Sequence, residues 1–133
     1  MNIEDQVTSL ELSNELKKFG IKQDSLFCYI DNRIYTNYES YLLSIFRDPE
    51  NIKLRISAFT ASELLELLPE YITIENIKYE LIISKYAVVY NQKHQSNWLS
   101  SFCINIFNKT LTDCLAKMII HLIENKLMDI KND

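Results

Sequence analysis

The sequence predicts an α+β fold, an antiparallel β-sheet with about three helices packed against it, and three observations carry that expectation. Helical apolar spacing and β-branched or aromatic runs alternate along the chain in the order helix, strands, helix, strands, helix. Consecutive strand-like runs are joined by short polar connections, which suit hairpins rather than the long crossovers that parallel strands need. The helical segments carry cap residues at their ends. At 133 residues, 47% hydrophobic and 24% charged, the chain has the size and composition of one globular domain spanning 1–133.

The first helix is expected over 9–19. Thr8 and Glu11 have capping-box spacing, Leu12, Leu16 and Phe19 form an apolar stripe, and Gly20 is placed to close the helix in a left-handed conformation. SLFCYID then reads as a strand, Asp31-Asn32 as a turn and RIYT as the partner strand. The segment 38–48 reads as either a helix or a long loop, and Pro49 ends it. In SAFTASELLELLPE, Thr60 and Glu63 have capping-box spacing, Ala61, Leu64, Leu65 and Leu68 share a face, and Pro69 stops the helix. ITI, KYELIISKYAVVY and WLSSFCINIFN read as strands, with NQKHQSN a polar hairpin loop between the last two.

The last helix is expected over 111–128, with Thr110 and Asp113 at cap spacing. At about 100° per residue it carries two apolar stripes. Leu111, Leu115, Met118, Ile119 and Leu122 form the first; Ala116, Ile120, Ile123 and Leu127 form the second. One sheet face needs only the first, so something else must cover the second. Its four-three-four spacing is that of two helices packing along a seam, which points to a homodimer with Ala116, Ile120, Ile123 and Leu127 at the interface. The alternative is intramolecular cover by the first helix or by the segment 38–46.

Composition narrows the function classes. Gly20 is the only glycine, so a glycine-rich phosphate loop is excluded, and with it most nucleotide-hydrolase and dinucleotide-binding readings. No apolar run approaches the ~18 residues of a membrane span, and MNIEDQVTSL is too acidic for a secretory signal. Cys28, Cys103 and Cys114 are odd in number and widely spaced, the pattern of reduced thiols in a cytoplasm. A net charge of −4 disfavours general nucleic-acid binding. No cofactor or metal motif is present, and His94 and His121 stand apart from any zinc-like spacing.

Two groups of residues remain as candidates. A small enzyme would use Cys103 or His121, with Cys28 and Cys114 read as interior thiols. The second group lies around a stretch without acidic residues between Glu80 and Asp113. Tyr86, Tyr90 and Trp98 offer planes on which a base can stack, and Arg33, Arg55 and Lys85 offer cations for phosphate. The plainer reading is that strands are aromatic-rich and that these rings belong to the core or its border. The carboxylates at Glu63, Glu66, Glu70 and Glu75 read as the solvated side of a helix and its exit.

The segments VTSLELSNELKKFGIKQDSLFCY, SAFTASELLELLPEYITI and LAKMIIHLIENKLM together resemble a group of small proteins of phages and prophages. That group opens with a VTSLELSKxLKxLGVKQxSLF-type helix and strand, passes through an AFTASELGELLP-type helix and closes with an AKMLIYLIENxL-type helix. The likeness covers about half the chain, with Leu65 where the pattern has glycine. It carries over no catalytic residues. It implies a non-enzymatic binding protein in the host cytoplasm, acting against host defence by occupying a host protein or sequestering a nucleotide signal. The rivals are a small enzyme using Cys103 or His121, and a subunit whose role is self-association.

Overall fold

A computed structural model describes residues 2–46, 55–84, 87–92, 102–107 and 110–130, with 44–46 and 102–107 described in backbone only. After a short 3₁₀ turn, Ile3–Asp5, comes α1, Leu10–Lys18. Ser9, not Thr8, caps α1: its hydroxyl accepts the Leu12 N–H at 3.3 Å. Thr8 is drawn into the interior instead. Its N–H donates to the Phe59 carbonyl at 2.9 Å, and its hydroxyl oxygen accepts the Phe59 N–H at 3.0 Å. Its carbonyl accepts the Tyr29 hydroxyl at 2.8 Å. A capping box was the weaker use for a threonine whose main chain pairs with a distant segment. Gly20 does close α1, at φ 88°, with Ile21 N–H on the Leu16 carbonyl and Gly20 N–H on that of Lys17.

β1, Phe27–Ile30, pairs antiparallel with β2, Arg33–Thr36. Asp31 at φ 49° and Asn32 at φ 64° make the turn, a geometry that matches strand twist and that Asp and Asn tolerate. The segment after β2 is a helix, α2, Asn37–Phe46. Thr36 and Glu39 start it reciprocally, Glu39 N–H on the Thr36 hydroxyl at 3.2 Å and Thr36 N–H on the Glu39 carboxylate at 3.1 Å. β3, Ile56–Ala58, pairs on the other side of β1, giving a sheet of order β2-β1-β3. Thr60 and Glu63 then form the expected capping box for α3, Ala61–Leu67.

β4 (Tyr71–Ile74), β5 (Ile77–Ser84), β6 (Ala87–Gln92) and β7 (Phe102–Phe107) make a second antiparallel sheet in that order. The expected single sheet is thus two, and KYELIISKYAVVY folds back on itself: Ser84 pairs with Ala87. One uninterrupted strand of that length would run to about 43 Å, far beyond ordinary strands. Glu75 and Asn76, at φ 51° and 67°, turn β4 into β5.

α4, Leu111–Glu124, is capped by Thr110, whose hydroxyl accepts the Asp113 N–H at 3.1 Å. The Asp113 carboxylate reaches across to the Ser9 N–H at 3.0 Å, pinning the starts of α4 and α1 together. α4 packs against β6 and β7 on one side and α1 and α3 on the other. Both apolar stripes are therefore spent inside the chain. Ala116 and Ile120 are buried, and Ile123 and Leu127 are half-buried against the same core. The expectation of a homodimer through Ala116, Ile120, Ile123 and Leu127 loses its premise, because the first three pack into the chain's own core and Leu127, past the end of the helix, packs against the same core. A smaller core, Val7, Tyr29 and Ala58, fills one face of the three-stranded sheet. Among the described residues, no helix is long and apolar enough to cross a membrane.

Candidate functional site

The residues expected to bind a nucleotide do not converge among the described positions. Tyr86, Trp98 and Lys85 lie outside the described residues, as does His94. Tyr90 is fully buried, and its hydroxyl donates to the Pro69 carbonyl at 2.6 Å. It is a core residue of an interior strand under α4, so its ring offers no plane for stacking. Burial pushes its hydroxyl above the ordinary tyrosine range.

Arg33 and Arg55 are brought into relation. Arg33 pairs with Ile30 across β1–β2. Tyr29 pairs with Ile56, so carrying that register one residue past β3 brings Arg55 alongside Ile30. Directly opposed residues share a sheet face, so both arginines flank Ile30 on one face, about 10 Å apart at two strand spacings. Strand alternation places Cys28 and Ser57 on this face too, and α2 packs over it. Burial pushes the Cys28 thiol up, and a hydrogen bond with Ser40 and the nearby Arg55 charge offset only part of that. Cys28 is therefore a protonated interior thiol, not a nucleophile.

Cys114 is likewise fully buried, and the Cys103 side chain lies outside the description. His121 is half-buried, its Nε2 3.5 Å from Asn125 Nδ2. With Glu15, Asp113, Lys117 and Glu124 it lines a polar groove between α1 and α4. Among the described residues, no group of three or more His, Cys, Asp and Glu side chains is placed to hold a metal ion.

Two surface features went unmarked by sequence patterning. The first is an apolar corner where β1 meets α2. Leu26 is 63% exposed, and Tyr38 and Tyr41, one helical turn apart, are 71% and 61% exposed. The Leu26 carbonyl accepts the Asn37 N–H at 3.0 Å, holding the start of α2 beside Leu26. Leu26 alternates with Cys28 and Ile30 and reads as interior, yet it precedes β1 and α2 leaves it uncovered.

The second is a cleft of about 350 Å³ between α3 and the segment after α4. Phe59, Leu67, Met128 and Ile130 line its apolar part, and Asp24, Glu63, Glu66, Asp129 and Lys22 its charged part. Glu63 departs from the solvated role expected of its cluster. One or other of its carboxylate oxygens accepts the Thr60 N–H at 3.0 Å, the Thr60 hydroxyl at 2.9 Å and the Leu26 N–H at 3.2 Å. The Ser25 hydroxyl lies 2.8 Å from the same carboxylate. The cleft draws on three separate segments of chain, which no local spacing reveals.

No protein-family model matches this chain, and neither a curated protein nor a solved structure matches it.

Proposed function

We propose that this chain is a non-enzymatic binding protein of phage or prophage type that occupies a host protein, in keeping with an anti-defence role. The observation that carries the reading is the corner of Leu26, Tyr38 and Tyr41. Tyrosine gives large contact area at low rotamer entropy, and interface energy concentrates on such aromatic anchors. Three large, mostly exposed side chains at one junction stand out beside Ser40 of the same helix, which is buried.

The test is affinity capture from a bacterial host lysate with the wild-type chain and a Tyr38→Ala/Tyr41→Ala variant. A specific partner should be retained by the wild type and lost by the variant, with the melting temperature unchanged because both rings are largely exposed. Capture profiles that do not differ would overturn the reading. A melting temperature raised by a cyclic or linear nucleotide, and no longer raised in Arg55→Ala, would instead favour sequestration of a nucleotide signal. The shared face of Arg33 and Arg55 is what supports that second reading.

A further inference from the structure

We infer that the cleft between α3 and the segment after α4 is a second docking site, and that it takes an apolar segment bearing lysine or arginine from the protein partner. The inference rests on the protein-binding reading and adds the chemistry of what is bound.

Shape and charge argue together. Phe59, Leu67, Met128 and Ile130 give the cleft an apolar lining, and its volume of about 350 Å³ is near the lower end for ligand pockets. Four carboxylates, Asp24, Glu63, Glu66 and Asp129, stand against one ammonium, Lys22. Lys22 is already committed, 3.5 Å from Asp24. Glu63 is held in place by its bonds to Thr60 and Leu26, so its charge is a fixed part of the wall. Glu66 and Asp129 are exposed and engage no partner among the described residues. Carboxylates over a low-dielectric lining focus a negative potential on the opening. The matching occupant has an aliphatic portion for the lining and a cation for the rim, as a lysine or arginine stem with its apolar neighbour provides.

One wall residue of the cleft also touches the proposed interface. Glu63, on its wall, accepts the Leu26 N–H at 3.2 Å, and Leu26 is a member of the exposed corner. One partner can therefore cover both, an aromatic-binding surface on Leu26, Tyr38 and Tyr41 and a basic segment in the cleft.

The experiment is fluorescence anisotropy of a labelled peptide of alternating lysine and leucine, with the glutamate–leucine peptide as control. The basic peptide should bind and the acidic one should not, and binding should weaken as salt shortens the Debye length from about 14 Å at 0.05 M to about 6 Å at 0.3 M. Glu66→Lys/Asp129→Lys should weaken it about tenfold or more, because like charges then face each other at the rim. Glu11→Lys/Glu124→Lys, the same change in net charge on the α1–α4 side, should stay within about twofold. Equal weakening by both pairs would mean general charge attraction and overturn the site, as would no binding. A doubled mass by light scattering without peptide, lost in the cleft pair, would show a second copy as occupant and also overturn it. Tyr38→Ala/Tyr41→Ala should leave peptide binding intact. Loss of peptide binding with capture preserved thus rejects the cleft alone, and the converse rejects the corner alone.

Discussion

Lys126 closes α4 as Gly20 closes α1, but at a cost glycine does not bear. It sits at φ 58°, with its N–H on the Ile123 carbonyl at 3.1 Å and the Leu127 N–H on that of Leu122 at 2.8 Å. A left-handed residue with a Cβ is crowded by its own carbonyl by about 1 to 2 kcal/mol, part of which glycine returns as unfolded-state entropy. Lys126→Gly should therefore stabilise the chain by about 0.5 to 1 kcal/mol, read as a rise of roughly 2 to 4 °C in melting temperature. No rise would show that the lysine side chain has favourable contacts beyond the backbone closure. The left-handed closure at Gly20 was legible, since glycine announces it, whereas Asn125-Lys126 carries no comparable signal. Glu63 shows the same divide. Its capping box was readable from spacing, but its bond to the Leu26 N–H depends on a neighbour distant in sequence.

At the scale of elements, α4 tests the difference between an interface and a core. Ile120 is 7% exposed and packs in the main cluster with Leu16 of α1 and Leu64 of α3. Ile120→Glu places a carboxylate there without a partner, and such substitutions cost about 3 kcal/mol or more. The variant should unfold at a clearly lower urea midpoint, or aggregate. A variant of wild-type stability whose mass falls from dimer to monomer by light scattering would restore the interface reading. Two stripes on one helix are plain in the sequence; which neighbour covers the second is not, because α1 lies about a hundred residues away along the chain. β5 and β6 teach a related lesson. A continuous run of strand formers marks β-structure but not the residue at which it folds back.

Across the whole molecule, buried neutral acids set the alkaline limit. Burial raises Tyr29 above its ordinary 10.0, helped by the Asp113 and Glu4 charges, and burial alone raises Tyr90. Cys28 is raised above 9.0, again chiefly by burial. Each is neutral when protonated, and the unfolded chain gives up these protons at lower pH than the folded one. Their contribution is whole below the unfolded values and is lost as pH rises through the folded ones. The urea midpoint should therefore hold near neutrality and fall progressively above about pH 9 to 10. Tyr90→Phe should remove part of that slope while costing about 1 kcal/mol at pH 7 through the lost bond to Pro69. A midpoint that stays flat to high pH would mean that these groups titrate alike in both states.

The sequence by itself determined the α+β class, the antiparallel hairpins, the caps at Thr60 and Thr110, the left-handed closure at Gly20 and the interior places of Cys28 and Cys114. Each of these depends on local spacing, on backbone preferences of single residues, or on the alternation of one strand, and none needs a partner far along the chain. Only the tertiary structure decided that the strands form two sheets, that the second stripe of α4 packs into the chain's own core, and that Tyr90 lies in the core. It alone left Leu26, Tyr38 and Tyr41 largely exposed and joined Asp24, Glu63, Glu66 and Asp129 around one cleft. Exposure at junctions and charge clustering arise from which distant segments meet, and periodicity within a segment does not say which segments those are.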